Sequence, residues 1–111
     1  MTMIDETTRN EIGALGRRAH DLTEAAYRQH AATRGGPGWS DKQRILLADM
    51  ALHLLQTAIR EGELPADELK RNLYAILTVS DQFLPGHGLK SGADQLHAGA
   101  LSQPSVPNQG G

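Results

Sequence analysis

Two pairs of residues in this 111-residue chain have a spacing that metal chemistry uses: Asp49 with His53, and His20 with Glu24, each four apart. On a helix that spacing sets both members of a pair on one face, where two ligands can meet one ion. The His-Glu-x-x-His pattern of zinc proteases does not occur, and nothing in the sequence places a third ligand. The same pairs serve equally as ordinary interactions between successive helical turns. No residue is therefore assigned to metal, and no cofactor is expected. His30 falls at the end of the first helical segment, and His87 and His97 lie in or beside the weakly patterned C-terminal part.

Hydrolysis needs a nucleophile beside a base, or carboxylates held in a dry pocket. Ser80 and Asp81 are adjacent and so point to different faces of a helix, while Ser40 reads as a helix cap. Gly35-Gly36-Pro37-Gly38 is glycine-rich but lacks the Lys-Ser/Thr that follows in a phosphate-binding loop. The chain has no cysteine, which removes thiolate catalysis, thiolate metal sites and disulfides. No catalytic residue is assigned, and the chain reads as non-enzymatic.

The elements that would position these residues are helical. Apolar or small residues recur at Ile12, Leu15, Ala19, Leu22 and Ala26, the three-four alternation that lays one stripe along a helix. This predicts a long first helix from about Asp5 to Thr33, starting at Asp5 or at the Thr8/Glu11 capping-box match. Gly13 and Gly16 inside it each cost about 1 kcal/mol relative to alanine, so they mark either a bend or a close backbone approach. Arg34 to Gly38 reads as a loop. Ser40 and Gln43 match a second capping box, predicting a helix from Asp41 to about Glu61 with Gly62 as its left-handed cap. Apolar residues cover most of its circumference, the pattern of a helix buried on several sides. A third helix is expected from Pro65, with Asp67 and Glu68 in its first turn and a stripe of Leu69, Leu73, Ile76, Leu77 and Phe83/Leu84. Pro85-Gly86-His87-Gly88 stops it.

The expected fold is thus an all-α three-helix bundle over residues 1–88, with a long first helix and a central buried second helix. A loose extension follows over 89–111, weakly helical from Ser91 to Leu101 and disordered beyond.

Composition narrows function by exclusion. Eleven basic against 13 acidic residues give a formal charge of −2, without the basic footprint that phosphate binding favours. The N-terminus lacks a secretion signature, and the longest apolar runs, such as 45–48, fall far short of the ~20 residues of a membrane span. A cytoplasmic location is expected, and the abundance of Arg, Ala and Gly fits a GC-rich bacterial genome. What remains is a small regulatory protein that binds another protein stoichiometrically, as a homodimer, with an inhibitor or antiactivator of a transcription regulator as one subtype. Candidate interface residues are Gly13, Gly16, Ala19, Leu22 and Ala26 on the first helix, Leu47 and Leu54 on the second, and Leu96 in the extension. The alternative is a helix-turn-helix DNA-binding regulator formed by helices two and three, with Lys70 and Arg71 near the DNA but Asp67 and Glu68 opposing it. A metal or ligand carrier using His20, Asp49 and His53 is a third.

Overall fold

The computed structural model describes residues 4–102 and holds four helices in chain order: α1 (Glu6–Gln29), α2 (Trp39–Ile59), α3 (Ala66–Asp81) and α4 (Leu89–Ser102). No strand occurs among the described residues, and no helix there is long and apolar enough to cross a membrane. The protein is an all-α helical bundle.

Helix boundaries follow local chemistry. Asp5 caps α1, its carboxylate accepting the Thr8 backbone N–H at 2.8 Å, so the start lies at the earlier of the two expected places. The helix ends at Gln29, four residues short of Thr33. His30 takes an extended conformation, its Nδ1 accepting the Ala32 N–H at 3.2 Å while its Nε2 lies 3.0 Å from the Asp41 carboxylate. This histidine therefore folds the loop back onto the start of α2.

α2 begins at Trp39, earlier than the Ser40 cap predicts. Gly38 is its N-cap residue, in a left-handed conformation (φ 80°) with no side-chain cap, and its carbonyl accepts the Lys42 N–H at 3.0 Å. Ser40 is thereby drawn inside the helix. Gly62 is left-handed as expected (φ 90°), but it lies two residues beyond the C-cap Arg60. Pro65 is the N-cap residue of α3, one position before the helix proper.

The largest departure is α4. The extension expected to be loose contains a helix packed on α3, with Ala93 fully buried. The backbone N–H of Lys90 donates to Asp81 at 3.2 Å, and the His97 ring lies 5.2 Å from that of Tyr74. A small residue at 93 lets the two helices approach closely, which offsets the helix-weakening glycine at 92. The expectation of disorder beyond Ser102 lies outside the described residues.

Connectivity is serial. α1 packs on α2, α2 on α3 and α3 on α4, each pair antiparallel, with no contact between non-neighbouring helices among the described residues. α2 is central as expected, but its most buried residues are the polar Gln43, Asp49 and Thr57. Among the described residues Val79 and Ala93 are the buried hydrophobic ones, and no large side chain is fully enclosed. The molecule measures 50 × 40 × 20 Å with a radius of gyration of 16.9 Å, well above the roughly 13 Å of a compact domain of about 100 residues. It is an open, slab-shaped bundle.

Candidate functional site

The α1–α2 seam brings together the residues with chemical potential. α1 meets α2 through Arg9, Gly16, His20, Thr23 and Tyr27, at steps of three, four or seven that keep one helical face. Arg9 Nε donates to the Ile59 carbonyl at 3.0 Å, and Lys42 Nζ sits 4.8 Å from the centre of the Tyr27 ring. Gly16 lies against Leu55, whose Cδ2 would be 3.0 Å from a β-carbon at that position. The glycine therefore marks a close approach of α1 to α2 within the chain.

Midway along this seam is a polar cluster. The Nε2 atoms of His20 and His53 are 2.9 Å apart, with the rings edge to face at 83°. Asp49 points between them, Oδ1 lying 3.4 Å from His20 Nε2 and Oδ2 3.4 Å from His53 Nε2. Its side chain is only 9% exposed, whereas those of His20 and His53 are 20% and 45% exposed. Thr23 Oγ1 is 2.6 Å from Asp49 Oδ1 and 3.0 Å from the His20 carbonyl. A hydroxyl has one proton, and the shorter, charge-assisted contact assigns it to the carboxylate. Ligating atoms of His20, Asp49 and His53 lie within 4.8 Å of one another. The second sequence pair also comes together, ligating atoms of His20, Asp21 and Glu24 lying within 4.8 Å of one another, but Glu24 is held by Arg28 at 2.8 Å and the Asp21 side chain is 81% exposed.

The expected interface residues are divided by the fold. Gly16 belongs to the α1–α2 contact, and Gly13 lines a surface groove beside it with Arg9, Gln56 and Ile59. Leu47 and Leu54 are half-buried on the face of α2 that carries Gln43 and Thr57, where Gln43 Oε1 accepts a hydrogen bond from Gln82 Nε2 at 2.9 Å. Leu96 is half-buried on α4. Ala19, Leu22 and Ala26 stay on the apolar stripe of α1, which is rotated away from the α2 contact. On that stripe Leu15 and Leu22, seven residues apart, are 63% and 64% exposed. Leu22 and Ala26 continue into Ile45 and Ala48 of α2 across a shallow groove of about 440 Å³. Thr23 was not singled out from sequence; its spacing of three from His20 was the available signal.

At the α2–α3 turn, Arg60 and Glu68 pair through both guanidinium nitrogens, the longer contact being 3.2 Å. That pairing holds the Glu68 carboxyl below its ordinary range and engages Arg60. A recognition helix would thus open on Asp67 and Glu68, with one basic neighbour already neutralised. No family model, curated protein or solved structure matches this chain.

Proposed function

We propose that this chain is a small non-enzymatic regulatory protein that acts by stoichiometric binding to another protein, working as a homodimer. The observation that carries the reading is the outward apolar stripe of α1. Leu15 and Leu22 are nearly two-thirds exposed at heptad spacing, and Leu22 borders Ile45 and Ala48 of α2. Heptad spacing is what a second helix laid nearly antiparallel or parallel requires, because it keeps one seam facing the partner. Pairing two α1–α2 units across that stripe would give a four-helix arrangement and supply the apolar burial a single chain lacks. In this reading α1 to α3 form the working bundle. Inhibition or antiactivation of a transcription regulator in the bacterial cytoplasm is the subtype proposed, consistent with a small, mildly acidic, cysteine-free chain.

The test is capture from host lysate with the tagged full chain, with and without nuclease, using wild type and Leu22→Glu. One protein recovered in near-equal amount, indifferent to nuclease and lost with Leu22→Glu, is the expected result. Recovery abolished by nuclease would transfer the reading to DNA binding.

A further inference from the structure

We propose that His20, Asp49 and His53 form a binding site for a first-row divalent cation, with zinc as the first candidate. The argument is geometric. Ligands about 2.05 Å from a common ion stand roughly 3.3 Å apart at the tetrahedral angle and roughly 2.9 Å apart at a right angle. The two Nε2 atoms stand 2.9 Å apart, and each lies 3.4 Å from a different oxygen of Asp49, Oδ1 for His20 and Oδ2 for His53. These separations are close to what one ion shared by the two rings and the carboxylate imposes.

Protons alone satisfy this arrangement poorly. Two neutral imidazoles facing each other through Nε2 can share one proton, which leaves Asp49 without a hydrogen bond from either ring. If a ring instead donated to the carboxylate, a charge-assisted bond near 2.7–2.9 Å would be expected, against 3.4 Å on both sides. Asp49 thus buries a carboxylate with one close donor, the Thr23 hydroxyl. Burying a charge requires compensation, and a cation held by both rings supplies it.

The donor set selects the ion. Two imidazoles and one carboxylate suit zinc, nickel, cobalt or ferrous iron, whereas calcium and magnesium prefer all-oxygen shells. Thr23 orients the carboxylate as an outer-shell partner, and Asp21 lies 3.9 Å from the remaining nitrogen of His20. The part-exposed histidines leave the solvent side open for water ligands. One ion would tie the middle of α1 to the middle of α2.

The experiment is calorimetric titration of ZnCl2 into the tag-free full chain, pre-treated with chelator, with thermal unfolding read in parallel. One equivalent per chain is expected, with a Tm rise of roughly 10 °C at one hundred times the dissociation constant. Outer-shell losses cost about 10–100-fold in affinity, so His53→Gln and His20→Gln, which remove ligands, should each exceed that, with Thr23→Val inside it. His53 is half in solvent, so its variant should keep the wild-type circular dichroism, and His87→Gln should bind as wild type. Absence of binding at ~100 µM zinc, far weaker than structural sites, would overturn the proposal, as would undiminished binding by both the His20 and His53 variants.

Discussion

Replacing Leu15 and Leu22 together by alanine should separate the proposed dimer without unfolding the chain. Full burial of a leucine contributes about 1.5–3 kcal/mol. With 63% and 64% of these residues exposed, the part already covered contributes roughly 0.5–1 kcal/mol each, and the part left for a partner roughly 1–2 kcal/mol each. Two leucines on each of two protomers bring the interface share to about 4–8 kcal/mol. Alanine keeps about a third of the side-chain area, so the double variant should lose about 3–5 kcal/mol of association. At 1.4 kcal/mol per decade, the dimer dissociation constant should rise at least 100-fold. Stability of the single chain should fall by only about 1 kcal/mol, because alanine's helix propensity offsets part of the small loss. Sedimentation velocity between ~1 and ~100 µM spans the relevant affinities, with far-ultraviolet circular dichroism to show that the helices persist. A wild-type chain monomeric across that range would refute the reasoning, as would a double variant that dimerises as strongly as wild type.

Other perturbations test the fold beneath this surface. A β-carbon on Gly13 would meet only the Arg17 guanidinium, at 3.5 Å. Gly13→Ala should therefore stabilise by about 0.4–1 kcal/mol, seen as a higher urea midpoint. Thr23→Val deprives the buried Asp49 carboxylate of its close donor, and a loss of about 1.5–3 kcal/mol in urea unfolding is expected. The Thr8 backbone N–H holds the Asp5 carboxyl below its ordinary range. A depressed folded pKa means stability that is present above the unfolded value of about 3.9 and lost as pH falls through the folded one. Helicity at the start of α1 should thus decline below about pH 4, and Asp5→Asn should flatten that decline in a pH titration of circular dichroism. Ala93→Leu forces volume between α3 and α4 at a fully buried position and should cost about 1–3 kcal/mol by the same urea assay, whereas a helix only loosely attached would tolerate it.

The helices were legible because the apolar spacing along residues 12–26 and 69–77 repeats with helical period, and because 45–59 is a long, mostly apolar run without Gly or Pro. Their ends were less so. The Ser40/Gln43 pattern is a valid cap in isolation, but Gly38 enters the helix first with a backbone that only glycine adopts readily. The pattern over Ser91 to Leu101 predicts only a weak helix, since intrinsic propensity contains no term for the close packing that Ala93 makes with α3. The apolar stripe of α1 was correctly located, yet a stripe says which face gains from cover and not which element covers it. Here α2 takes the adjacent face through Gly16, His20 and Thr23. The metal-type cluster was half legible: the spacing of Asp49 and His53 lies within one helix, but the contact of His20 with His53 spans 33 positions. It depends on the antiparallel register set by the loop between α1 and α2, which no local pattern encodes.

That register explains why a polar seam and an exposed apolar stripe occur on the same helix. Two helices that met only through leucines could slide by a turn at small cost, because apolar contact is non-directional. Hydrogen bonds from Arg9 to the Ile59 carbonyl and from Thr23 to Asp49 are directional and lie along one antiparallel alignment. They specify how α1 sits on α2 while contributing only about 1 kcal/mol each when neutral and somewhat more when charged. Placing polar groups on the inner face leaves the leucines outside, where their burial becomes available to a partner. A cation among His20, Asp49 and His53 would lock the same alignment from within the seam, so metal binding should present the Leu15–Leu22 face more rigidly without touching it. The two proposals are independent in their tests. They converge on α1, whose inner face sets the register and whose outer face is left to bind.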